Sequence, residues 1–179
     1  EALIDLGHHF DNAAPVLKVM AAEGLPLPRL YEALGEITLN RRLVEILRHL
    51  EPQPGLLPAS EEMVELLRDA VLFGFKLESR EGAQTLQRIL DHHLMDLAAE
   101  FNQATADYLM NFLKLQRQIP ITVDATEAQN FFFGLMKEHF AALAARAARD
   151  PQVRQVADTL VNIPAALFFI AGYYLLLWA

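Results

Sequence analysis

The sequence predicts an all-α protein, a bundle of six to eight helices around one long central helix at about residues 80–118. Three observations predict it. Apolar residues recur at steps of three and four through Leu86, Leu90, Leu94, Leu97, Phe101, Ala104, Tyr108, Phe112 and Leu115, which is the spacing of one helix face. Prolines cluster between such runs, where they end helices. No stretch alternates apolar and polar long enough for a strand, and no repeat of fixed period appears.

Taken in order, Glu1 to Phe10 reads as a helix or the end of one. Asp11, Asn12 and Pro15 give a fresh start signal, and Gly24 closes the helix that follows. Leu25-Pro26-Leu27-Pro28 is a stiff connector. Leu30, Leu34, Ile37, Leu39, Leu43, Ile46, Leu47 and Leu50 mark a helix from about Arg29 to Leu50. Residues 51–59, with three prolines and a glycine, read as a mobile surface loop. Ser60 caps a helix to about Glu78, with Glu61 and Glu62 at its positive end. The long stretch follows and Pro120 stops it. At about 1.5 Å per residue it would be a rail of roughly 55 Å for shorter helices. Thr122 or Asp124 begins a helix to Ala147. Asp150-Pro151 begins another to about Asn162, and an apolar tail completes the chain.

The chain has 179 residues, 53% hydrophobic and 21% charged, which suits one helical domain with a sizeable core. A net charge of -8 without a basic run argues against nucleic acid as a partner. With no cysteine there is neither disulfide nor thiolate chemistry, and the lean is to the cytoplasm. Glu1 opens directly on a helical pattern, so the expectation is a piece of a longer protein without a signal peptide. Residues 159–179 carry no charge. They are read as a core helix or an interface in preference to a membrane anchor, because the strongly apolar part, Ala165 to Ala179, is short for a span.

Chemistry-bearing constellations are sparse. His8-His9 and His92-His93 are adjacent pairs whose members point about 100° apart, so neither pair chelates alone. His92 and Asp96 share a face but need further ligands for a metal. The histidines are read as solvated or hydrogen-bonded, and no cofactor is expected. No phosphate loop or nucleophile is recognisable. Glu61-Glu62 and Glu78…Glu81 are acids expected near helix starts. Phe131-Phe132-Phe133 surrounds most of a helix circumference, with core packing the main expectation. Tyr173, Tyr174 and Trp178 sit in the apolar tail and suit docking or sugar stacking.

Gly24-Leu25-Pro26-Leu27-Pro28-Arg29-Leu30, then Leu39-Asn40-Arg41-Arg42-Leu43, then Ala125-Thr126-Glu127-Ala128-Gln129-Asn130-Phe131-Phe132-Phe133 carry a resemblance. Together they resemble the helical domain that lies C-terminal to the catalytic domain in glycoside hydrolase family 57-like (alpha-amylase/alpha-mannosidase-like) proteins. The likeness covers most of residues 13–140, and the tail after Asn162 is more apolar than that family's. It implies a non-catalytic accessory domain that packs on a sugar-processing catalytic domain and helps wall its groove. Gln129 and Asn130 match the motif, and their amides would bind sugar hydroxyls or tie two helices together. The partners implied are that catalytic domain and carbohydrate. From the residues alone, the alternatives are a helical interaction module that self-associates through the C-terminal helix, or a small-molecule bundle with a pocket at Phe73, Phe75, Tyr108 and Phe112.

Overall fold

The computed structural model describes residues 2–50 and 61–170, with side chains described over 7–50 and 61–167. The described residues form seven helices and no strand: α1 (Ala2–Ala22), α2 (Arg29–Leu50), α3 (Glu61–Phe73), α4 (Arg80–Ala99), α5 (Gln103–Gln116), α6 (Thr126–Ala147) and α7 (Pro151–Ile170). The all-α bundle expected from the sequence is what the chain forms. The expected loop at 51–59, its Ser60 cap and the end of the apolar tail lie outside the described residues.

Helix α1 runs unbroken through Pro15, where the sequence suggested a restart. Phe10 and Leu17, two turns apart, are both buried, so one packed face carries the helix across the proline. Pro15 itself is exposed, where water can reach the backbone carbonyl that the ring leaves without a donor. Gly24, at φ 69°, ends the helix. Its amide donates to Ala21 O and that of Leu25 to Met20 O, the two bonds of a Schellman turn.

The same device shortens α3. Gly74, at φ 70°, donates to Val71 O while Phe75 donates to Ala70 O, so the helix stops at Phe73 and not near Glu78. The turn brings Phe75 back over α2. Its ring stacks on Phe73 at 5.1 Å, and Phe10 approaches both. Gly35 on α2 makes room for this cluster: a Cβ there would overlap the Phe75 ring and lie 2.8 Å from Phe10 Cε2.

The long central stretch is two helices. Ser79 Oγ accepts from Gly82 N at 3.0 Å to start α4, and the helix ends at Ala99. Asn102 then opens α5 with a capping box: its side chain accepts from Thr105 N at 3.1 Å, and Thr105 Oγ1 accepts from Asn102 N. Thr105 Oγ1 also donates to Glu100 O at 2.5 Å, fastening the elbow. Bent there, α5 packs back on α4, and the His93 ring meets Phe112 at 5.5 Å. Of the apolar series, Leu86, Leu90, Leu94 and Leu97 are buried on α4 and Phe112 and Leu115 on α5, while Phe101 and Tyr108 are half-buried and Ala104 is exposed.

Asp124, one residue before the Ala125 N-cap of α6, accepts from Thr126 N at 3.0 Å; bonding to Thr126 holds its carboxyl below the usual carboxylate range. Asp150 does the same for Gln152 N, with Pro151 as first residue of α7. Helix α7 continues through Pro164 to Ile170, beyond the expected end near Asn162. Leu160, Ile163, Ala166 and Leu167 are buried along it, which again holds a helix together past a proline.

Helices α1, α2 and α3 pack on one another, and α4 to α7 form a second group. The two groups meet where α2 packs on α4. At this seam Arg48 pairs with Glu81, and Asn40 Nδ2 donates to Lys76 O at 3.0 Å.

Candidate docking face

Helix α6 has two working faces. Ala128, Phe132, Leu135 and Leu143 point into the core. On the other side Asn130, Phe133, Lys137, Phe140 and Ala144 follow one another at three- and four-residue steps and are exposed. Phe131 is 41% exposed, Phe133 38% and Phe140 51%, so the three adjacent phenylalanines divide: only Phe132 enters the core. Gly134 lies on the same outer side, and nothing lies within 4 Å of where its Cβ would be.

Gln129 and Asn130 are separated by this geometry. Gln129 is half-buried and its Nε2 donates to Leu167 O at 3.2 Å, which ties α6 to α7. Asn130 faces water at one end of the outer strip. Tyr173, Tyr174 and Trp178 lie outside the described residues. The signal for Phe133 and Phe140 was present in the sequence as an i, i+7 aromatic pair offset from the core-facing set. It is read only once Phe132 is known to point inward.

His93 corrects the reading of the histidines as solvated or hydrogen-bonded. It is 4% exposed, and its Nδ1 has no hydrogen-bond partner. Burial lowers its pKa from the ordinary imidazole value; Asp96 opposes this and His92 adds to it. His92 and Asp96 do share a face, 3.5 Å apart. Among the described residues no group of three or more histidine and carboxylate side chains is placed to hold a metal ion.

A cleft of about 470 Å³ lies between α2 and α3. Leu39, Ile46 and Leu66 form its apolar lining, and Arg42, Glu45, His49, Glu62, Glu65 and Asp69 its polar one. Its charges are largely neutralised in place: Lys18 pairs with Asp69 at 2.7 Å and with Glu65 at 3.9 Å, and Arg42 pairs with Asp11. Among the described residues no serine, threonine or cysteine lines it, and its polar groups are acids, an arginine and a histidine. The pocket expected at Phe73, Phe75, Tyr108 and Phe112 is not assembled as one aromatic group. Phe73 and Phe75 stack with Phe10, whereas Phe112 meets His93.

No helix among the described residues is long and apolar enough to cross a membrane. Comparison of the chain with protein-family models, with curated proteins and with solved structures gives no match.

Proposed function

We propose that the chain is a helical docking module, the non-catalytic accessory domain of a larger carbohydrate-active enzyme of the glycoside hydrolase family 57-like kind. The observation that carries this reading is the outer strip of α6. A helix that buries one side and presents phenylalanines on another has a second apolar surface to offer. Phe140 and Phe133 are about half covered already, so burying the rest of each is worth roughly 1 kcal/mol, and covering them together would help to hold a partner domain in place. The resemblance at residues 24–30, 39–43 and 125–133 supports a catalytic domain as that partner. Asn130, at the end of the strip, is then the amide available to a sugar hydroxyl, while Gln129 serves the α6–α7 seam. Cytoplasmic placement belongs to the same reading.

The test is hydrogen exchange on the native gene product and on the isolated chain. A native product that carries an enzyme domain, with residues 130–144 exchanging at least tenfold more slowly than in the isolated chain, is the expected result. A product without such a domain, or equal exchange in both, overturns the reading.

The cleft between α2 and α3 favours a second reading, a free-standing module that binds a small molecule. Its volume is in the range of ligand sites, roughly 300–1,000 Å³. That reading predicts a rise in melting temperature with a ligand alone, with no partner protein present.

A further inference from the structure

A smaller recess of about 160 Å³ lies between α6 and α7, beside the elbow that joins α4 to α5 and away from the outer strip of α6. Phe101 from the elbow, His139, Leu143 and Arg146 from α6, and Val153 and Val156 from α7 line it. We propose that this recess binds a small monocarboxylate whose apolar body is about the size of a benzene ring.

Size fixes the body. An apolar cavity of about 150 Å³ takes up benzene, whereas drug-sized ligands need at least about 300 Å³. Leu143 and Val156 are buried and Val153 half-buried, so the floor is hydrocarbon. Phe101 lies against His139 with ring centroids 5.2 Å apart and forms one aromatic wall.

Charge fixes the head group. Among the described residues no acid lines the recess. Arg146, like Arg68, Arg80 and Arg149, makes no ion pair among the described residues, and of these only Arg146 lines the recess. A lone arginine in the last turn of a helix is ordinary, since it meets the negative end of the dipole. The dipole does not account for His139, two turns earlier, lining the same recess. One planar guanidinium matches a carboxylate through two parallel hydrogen bonds, and imidazole carries an N–H donor in either protonation state. One fixed positive charge over a hydrocarbon floor suits a monoanion with an apolar body better than a phosphate, which asks for more donors.

The experiment is a methyl NMR titration of the full chain with sodium benzoate, and in parallel with uncharged benzamide. Saturable shifts at Leu143, Val153 and Val156 are expected, with benzamide about tenfold weaker or more, the size of one charge-assisted hydrogen bond. Arg146→Gln should weaken benzoate about tenfold. Arg146 is exposed, so the fold is retained. Ala142→Phe, which fills the recess from an exposed position, should abolish saturation at these methyls. Shifts that do not saturate, equal affinity for benzamide, or unchanged binding in either variant overturn the proposal.

Discussion

Single residues here show how little an isolated sequence position says about its own cost. Gly35 and Gly134 both sit inside helices, and helix propensity favours alanine at each by about 1 kcal/mol. The structure separates them. At Gly35 a Cβ meets the Phe75 and Phe10 rings, so Gly35→Ala should destabilise by about 2 kcal/mol or more. At Gly134 it meets nothing, so Gly134→Ala should stabilise by up to about 1 kcal/mol. Urea midpoints of the two variants should move in opposite directions. His93 makes a second case. Its pKa is lowered in the folded chain, so below its ordinary value of 6.5 the unfolded chain binds the extra proton. Stability from this group is therefore full at neutral pH and falls as pH drops below about 6.5 toward the lowered folded value. His93→Leu should remove that part of the acid sensitivity. The gap in urea midpoint between the two proteins should then shift in the variant's favour from pH 7.5 to pH 5, and a constant gap would refute the account. The sequence showed a histidine beside another histidine, and only tertiary packing selects which of the two is buried.

At the scale of elements, most helices were legible. The boundaries of α2 follow from its apolar period and the prolines before it, whereas α6, expected to begin at Thr122 or Asp124, begins at Thr126. What escaped was where helices stop or continue. Apolar residues keep their three- and four-residue steps across residues 100–102, so the pattern does not register a bend. The bend is written in Asn102 and Thr105, an Asn-x-x-Thr pair that passes for ordinary polar surface. Asn102→Ala should cost about 1 kcal/mol, and differential scanning calorimetry should show it as a lower melting temperature. Pro15 and Pro164 mislead the other way. Each is a helix-stop signal by local chemistry, and each is overridden by a buried face that runs past it.

For the whole molecule, the two helix groups are joined through the contact of α2 with α4, and one continuous apolar cluster spans both. That continuity predicts unfolding as one cooperative unit. Leu43 is fully buried on α2, so Leu43→Ala should cost about 2–5 kcal/mol. Circular dichroism and hydrogen exchange in α6 should show the loss together, as one transition. Two separated transitions, with α4 to α7 unaffected, would mean that the groups are independent. Of the candidate docking face, the sequence showed only the row Phe131-Phe132-Phe133. Which of them face outward depends on the rotation of α6 about its axis, and Phe132 and Leu143 set that rotation by packing.

The elbow at residues 100–102 also bears on how quickly the chain finds its fold. Had α4 and α5 formed one rod, every partner for their apolar face would have come from distant sequence. The bend lets the two helices meet across a three-residue connection, so loop closure between them costs little entropy. Contacts this local form on the fast end of the folding scale, which makes the α4–α5 hairpin the natural first nucleus, with α7 and α2 condensing on its two sides.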